Sequence, residues 1–393
     1  MSEDKEKIMG LGLSRRHEWV LQSEIRNMSI ECDRVGGINL SQGVCDTEVP
    51  PPVRRGAQEA IDRGINTYTR YDGLAELRKA IAGKQQRFTG MNVDPDREII
   101  VSAGATGALY CTCLALLDPG DEVIIFEPFY GYHISTLVAT QAVPVYIPMS
   151  PPDWTFAGEA LERAVTSRTK AILVNTPANP SGKIFSRTEL ETIGQVAVKH
   201  DLFVFTDEIY EHFIYDGRKH IVPAMLSGMK ERTVTISGLS KTFSITGWRI
   251  GYCLCDEKWA QTIGHFNDLI YVCAPAPLQM GVAAGLVNLG GDYYERLSKA
   301  YGFKRDMICK ALSDIGLTPF IPQGAYYVLA DISRLPGDTS KEKAMFLLHR
   351  TGVASVPGDA FYHQTGGERL ARFCFAKDDD ILEDACMRLR MLC

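Results

Sequence analysis

The chain has 393 residues, more than one hydrophobic core usually holds, so a large domain with a smaller companion is expected. Its 23% charged residues are ordinary for a globular protein, and the formal charge of −6 is spread without the basic patch that nucleic acid demands. No apolar run reaches the length of a membrane span, and the mixed-charge start, Met1 to Lys7, does not read as a secretory signal.

Residues 1–13 read as a loose arm. An amphipathic helix is expected over 18–28, then a short strand within 38–43. Pro50, Pro51 and Pro52 punctuate the chain before a helix over 53–63, and 74–88 reads as another helix. Apolar runs of strand length then recur at 98–102, 122–126, 143–147, 170–175, 202–206, 233–237 and 250–255, with helix-period segments between most of them. Ser186 and Glu189, ahead of Leu190, Ile193 and Val196, mark a capping-box start. Near-continuous apolar strands alternating with helices predict an α/β fold: a seven-stranded, mainly parallel sheet with helices on both faces.

Beyond residue 255 the pattern changes. Helices are expected over 256–270, 279–289 and 291–314, strand-like pieces at 325–330 and 372–376 around a helix at 340–350, and a last helix over 380–391. Asp378, Asp379 and Asp380 read as the start of that helix. This is a smaller α+β unit, with the N-terminal segment packing on it. The expected division is 46–278 for the large domain, 14–45 with 279–393 for the small one, and 1–13 for the arm. The eleven cysteines lie mostly inside apolar runs, as Cys111 and Cys113 do, which reads as buried reduced thiols in a cytoplasmic setting. Their C-x-C pairs and the scattered His133, His200, His212 and His265 lack metal-site spacing, and the histidines read as structural or surface residues.

In a doubly wound sheet, ligands sit outside the carboxyl ends of the strands. After 98–102 come Gly104, Ala105 and Thr106, opening a helix whose free N–H groups and dipole favour phosphate; taken alone, a plain tight turn fits equally. After 170–175 comes Asn179-Pro180-Ser181-Gly182. After 202–206 come Asp207, Glu208 and Tyr210, and after 233–237 come Ser240 and Lys241, with Arg249 eight positions further on. Each segment alone is readable as loop chemistry, and Lys241 alone as a solvated lysine. Together they set an amide, an acid, a phenol, an amine and a phosphate cradle along one sheet edge. That set suits pyridoxal phosphate, with lysine on its aldehyde and the acid on its ring nitrogen.

These motifs, with Gly247-Trp248-Arg249-Ile250-Gly251 and Arg372-x-x-Phe375-Ala376, resemble those of the fold-type-I pyridoxal-phosphate aminotransferases of classes I and II. The resemblance runs over nearly the whole chain and is closest to the aspartate, aromatic and kynurenine subgroup. It implies that Lys241 forms the Schiff base and that Asp207 keeps the ring nitrogen protonated. Asn179 and Tyr210 would hold the ring hydroxyl, and Tyr130 would stack on the ring. Gly104, Ala105 and Thr106 would bind the phosphate together with Arg249. In a homodimer, Tyr68 would reach the partner's phosphate, with Tyr71 as the other candidate. Arg372 would take the substrate α-carboxylate, helped by Asn179 and the backbone at Gly43. A cis bond at Asn179–Pro180 is also implied. One position departs: many relatives carry a phosphate-binding serine where Gly238 stands. Tyr326 and Tyr327 read as the start of a strand, with a place lining the substrate pocket as the other reading, and Arg15 and Arg16 read as solvated, with an arm closing over the site as the alternative.

The implied activity is ping-pong transamination, with 2-oxoglutarate as acceptor and a neutral or aromatic donor. Aspartate-specific members of one subgroup use a lysine where Thr106 stands, which weakens a strict aspartate reading. A lyase on the same fold, of the C–S β-lyase or aminocyclopropane-carboxylate synthase type, would use the same Lys, Asp and Arg. A non-catalytic effector domain would need a DNA-binding module, and the segment ahead of the core strands lacks a basic helix-turn-helix pattern.

Overall fold

The computed structural model describes Gly12 and residues 22–392. The expected arm, apart from Gly12, lies outside the described residues, as do Arg15 and Arg16. Helix α1 (Glu24–Val35) sits later than the expected 18–28, between a Ser23 cap and a left-handed Gly36 at φ 61°. Strand β1 is only Ile38–Asn39. It stops because the Asn39 side chain accepts from the Ser41 N–H, the Ser41 hydroxyl and the Gln42 N–H, which turns the chain ahead of Gly43. Helices α2 (Pro51–Asp62) and α3 (Ala75–Thr89) follow, α2 with its prolines in the first turn.

All seven expected strands form: β2 (Ile99–Ala103), β3 (Glu122–Glu127), β4 (Val143–Pro148), β5 (Thr169–Asn175), β6 (Phe203–Asp207), β7 (Thr233–Gly238) and β8 (Ile250–Leu254). They build one sheet in the order β2-β8-β7-β6-β5-β3-β4. Strand β8 is antiparallel to both neighbours, and every other pairing is parallel. Helices α4 (Gly104–Leu116), α5 (Gly131–Ala139), α6 (Gly158–Ala164) and α7 (Arg187–Lys199) connect β2 through to β6, and the capping box at Ser186 and Glu189 is formed. Only short 3₁₀ turns lead from β6 to β8. Strands β3, β7 and β8 are buried at every position, as apolar strands covered on both faces must be.

Three helices follow: α8 (Glu257–Tyr271), α9 (Ala276–Asn288) and α10 (Gly291–Asp314). Val282 and Leu286 of α9 share a core with Val53 of α2 and Leu77 of α3. The expected boundary at 278 therefore falls inside a helix that belongs with the large sheet. Then come β9 (Thr318–Phe320), β10 (Tyr327–Asp331), α11 (Ser340–Thr351), β11 (Val353–Ala354), β12 (Val356–Pro357), β13 (Leu370–Cys374) and α12 (Asp379–Leu389). A second, antiparallel sheet has the order β12-β13-β10-β9, while β11 pairs in parallel with β1. Helix α1 packs on this part of the chain, with Met28 and Cys32 against Ala344, Leu348 and Ala354. Strands β9, β11 and β12 are too short to show an alternating pattern in sequence. Asp378 stands at the N-terminal boundary of α12 without a side-chain capping bond, and Asp379 and Asp380 fill its first turn, where carboxylates face the positive end of the helix dipole. The ten described cysteines are free, and all but Cys273 are buried. No helix among the described residues is long and apolar enough to cross a membrane.

Candidate active site

Strands β5, β6 and β7 end side by side at Asn175, Asp207 and Gly238, with Asn175 and Asp207 in register. Asn175 bridges outward: its Nδ2 donates to the Asp207 carbonyl at 2.9 Å, and its Oδ1 accepts the Asn179 N–H at 2.7 Å. The loop so held contains cis bonds at Thr176–Pro177 and Asn179–Pro180. The Asp207 carboxylate is fixed twice. His133 Nε2 lies 2.8 Å from Oδ2, and Oδ1 accepts the Ile209 N–H at 3.2 Å.

At the end of β2 the helix α4 opens on Gly104, which is left-handed at φ 78°. Strand β8 passes directly beneath this turn. A Cβ on Gly251 would lie 2.3 Å from the Ala105 nitrogen, so only glycine permits the approach. Arg249 folds over the same turn, with Nη1 donating to the Thr246 carbonyl at 3.0 Å and Nη2 to the Ala103 carbonyl at 3.4 Å. Free helix N–H groups, the Thr106 hydroxyl and a guanidinium thus form an anion cradle. The glycine at 238 has a packing cause: a Cβ there would stand 3.0 Å from both Gly251 Cα and the Ile250 carbonyl. A serine at this position would require β7 or β8 to give by a few tenths of an ångström.

Lys241 follows β7. Its Nζ donates to the Gly43 carbonyl at 3.0 Å and stands 5.8 Å from the Tyr326 ring centre. Burial draws this amine below its usual range; Arg249 acts the same way, against Cys45, Cys374 and Asp207. Arg372, on β13, is fully buried. Its Nη1 donates to Asn179 Oδ1 at 2.8 Å and its Nη2 to the Ser41 carbonyl, while its Cζ lies 4.2 Å from the Tyr327 ring centre. Among the described residues its Nε has no partner, which leaves a buried charged donor for a ligand. The Tyr210 and Tyr327 hydroxyls lie 3.0 Å apart, and burial pushes both phenols above their usual range.

These groups share a cavity of about 590 Å³. Of the expected residues, Gly43, Ala105, Thr106, Tyr130, Asn179, Asp207, Tyr210, Lys241, Arg249 and Arg372 line it. Gly104 stands behind Arg249, since a Cβ on it would meet Nη2 at 2.3 Å. Tyr68 lies outside the cavity and is 82% exposed. A histidine-held carboxylate, an anion cradle, an amine of lowered basicity and an orphaned guanidinium N–H fit a phosphorylated pyridine aldehyde and a carboxylate substrate.

The chain matches the family model described as aminotransferase class I and II over residues 35–389. The class I and II aminotransferases are its family. Among curated relatives it is 37% identical to a probable N-succinyldiaminopimelate aminotransferase of Mycobacterium tuberculosis, over 93% of this chain and 94% of that one. It is 36% identical to kynurenine–oxoglutarate transaminase 3 of Rattus norvegicus, over 88% and 83%. The solved structure of N-succinyldiaminopimelate aminotransferase from Mycobacterium tuberculosis superposes with a TM-score of 0.94 at 35% identity, covering 97% of this chain and all of that one.

As a member of this family, the aminotransferase is an enzyme that uses pyridoxal 5′-phosphate. Further residues complete the site. His133, expected to be structural or surface, is 3% exposed and lines the cavity against Asp207. The available signal was its i+3 spacing from Tyr130, whose ring it meets edge-on at 5.2 Å. Tyr327 does start β10, and it lines the cavity as well. Tyr71, the other candidate, packs its ring against Gly264, where a Cβ would meet it at 2.3 Å, and its carbonyl accepts from Asn267.

Proposed function

We propose that the aminotransferase moves the α-amino group of a neutral or aromatic amino acid to 2-oxoglutarate by a ping-pong cycle. Aspartate is the alternative donor. The observation that carries this reading is that Lys241, His133-held Asp207 and Arg372 line one cavity. The aromatic walls of Tyr130, Tyr132 and Tyr327, and the name of the kynurenine–oxoglutarate relative, support the donor and acceptor classes.

Bound in the cavity, the cofactor supplies an electron sink for the charge left when a substrate Cα proton departs. Asp207 would hold the ring nitrogen, kept in place by His133. Asn179 and Tyr210 would hold the ring oxygen, and Tyr130 the ring face. Gly104, Ala105, Thr106 and Arg249 would hold the phosphate. Arg372 receives the α-carboxylate, with Asn179 and the Gly43 backbone beside it, and so aims Cα at Lys241. Lys241 would hold the aldehyde carbon, and its Nζ would serve as the base that takes the substrate Cα proton and the acid that gives it back. Its lowered basicity leaves more of the free amine that can accept that proton.

The decisive assay gives the loaded enzyme one amino acid and no acceptor. Transamination releases a single equivalent of 2-oxo acid and stops, whereas continuous pyruvate and ammonia would establish the lyase instead. Changing Lys241 to Ala should abolish turnover, and a fully active variant refutes the assignment.

We also propose a homodimer in which Tyr68 reaches the partner's phosphate. Its exposure, with that of Leu269 and Val272, supports this, and a one-chain mass in sedimentation would refute it. The proposed large domain runs from 46 through α9, with 14–45 and α10 onward as the small one. The buried free thiols support a cytoplasmic setting.

A further inference from the structure

Among the described residues, Arg26 is a charge without a counterpart. It stands exposed in the first turn of α1, at the end where the helix dipole already disfavours a cation. Among the described residues its guanidinium makes no hydrogen bond or ion pair. The nearby acids are taken: Glu24 by Asn27 and Lys341, Glu31 by Arg34. Arg26 nevertheless lines the same cavity as Lys241, Arg249 and Arg372, against a single lining carboxylate, Asp207. In the proposed function Arg249 answers to the phosphate, Arg372 to the α-carboxylate, and Asp207 to the ring nitrogen. One cation is left over. It shares a second depression at the cavity's side with Thr106 and Tyr132, whose hydroxyls add neutral donors. Thr106 brings no charge there, and Arg26 does.

We infer that Arg26 is a specificity residue that binds the distal carboxylate of dicarboxylic substrates, the 2-oxoglutarate and glutamate half of the cycle. This rests on the reading that Arg372 takes the α-carboxylate. An unpaired guanidinium beside other cations is repelled until an anion arrives, and a second carboxylate one side chain away from the first supplies it. A neutral donor leaves Arg26 in water at the cavity mouth, where exposure makes this tolerable. One site thereby serves an apolar donor and a doubly charged acceptor.

The test compares 2-oxoglutarate with 2-oxopentanoate, the same chain without the distal carboxylate, in the half-reaction of the amine-loaded enzyme. In Arg26→Gln, kcat/KM for 2-oxoglutarate should fall roughly 10- to 100-fold, as loss of a charged hydrogen bond predicts, with 2-oxopentanoate nearly unchanged. Arg26→Lys should fall between. A second readout needs no turnover: glutarate and pentanoate are titrated by the cofactor's visible spectrum, and only glutarate binding should weaken in Arg26→Gln. Equal losses for both oxo acids, weaker cofactor binding that accounts for the loss, or no change in either substrate overturns the inference while leaving transamination standing. A parent enzyme that aminates neither oxo acid overturns the proposed function, and the inference with it.

Discussion

Replacing Lys84 by Met should cost the protein more than any surface change. Lys84, on α3, is wholly buried; its Nζ pairs with Glu211 and donates to the Tyr252 hydroxyl at 3.2 Å. The Ser237 hydroxyl donates to the other Glu211 oxygen at 2.7 Å, so this acid ties the segment after Asp207 to β7. Burial works to raise the Glu211 carboxyl, and the Lys84 ammonium outweighs it, holding the group down to about 2. His212 cannot replace that cation, because burial pulls its imidazole down to about 3 and keeps it neutral. A single uncompensated buried charge costs about 3–5 kcal/mol, and Glu211→Gln added to Lys84→Met should restore most of it.

The pH dependence gives the sign. In the parent, Glu211 lies below its ordinary 4.5, so its contribution is present above that value and fades as pH falls toward about 2. In Lys84→Met, burial, the largest influence on Glu211, loses its main opponent; the carboxyl should rise above its unfolded-state value, and stability is lost as pH rises through that raised pKa. The deficit measured by urea unfolding of the loaded enzyme should therefore be smaller near about pH 5 than near about pH 8. A loss below about 1 kcal/mol, or a deficit that grows toward low pH, refutes the reasoning.

Gly43→Ala places a Cβ 1.8 Å from the Tyr327 hydroxyl, which must move away from Tyr210 and from under Arg372. Overpacking of this kind costs about 1–3 kcal/mol of stability, and displacement of the Tyr327 hydroxyl from Arg372 and Tyr210 should lower kcat/KM roughly 10-fold or more, with Tyr327→Phe in the same chain recovering part; an unchanged value refutes the contact. His133→Phe leaves Asp207 Oδ2 without its donor. Cofactor affinity, read by equilibrium dialysis, should weaken about 10-fold or more, and parental affinity would show that His133 does not position Asp207.

Much of this enzyme was legible locally. Each core strand announced itself by its own apolar run, α7 by its capping box, and α10 by its period, because these signals need only neighbouring residues. The loops after the strand ends were legible too, since topology confines ligands to that edge. Element ends marked by side-chain turns, such as Asn39 closing β1, were harder, because hydrogen bonds compete there with pattern. The tertiary structure alone decided which distant groups meet. It set His133 against Asp207, 74 positions away, and Arg372 against Asn179, 193 positions away. It also explained Gly238 by the closeness of Gly251 and left Arg26 on the cavity wall with no partner among the described residues. Periodicity reports which face of an element is buried, whereas convergence of charge depends on how separate elements pack.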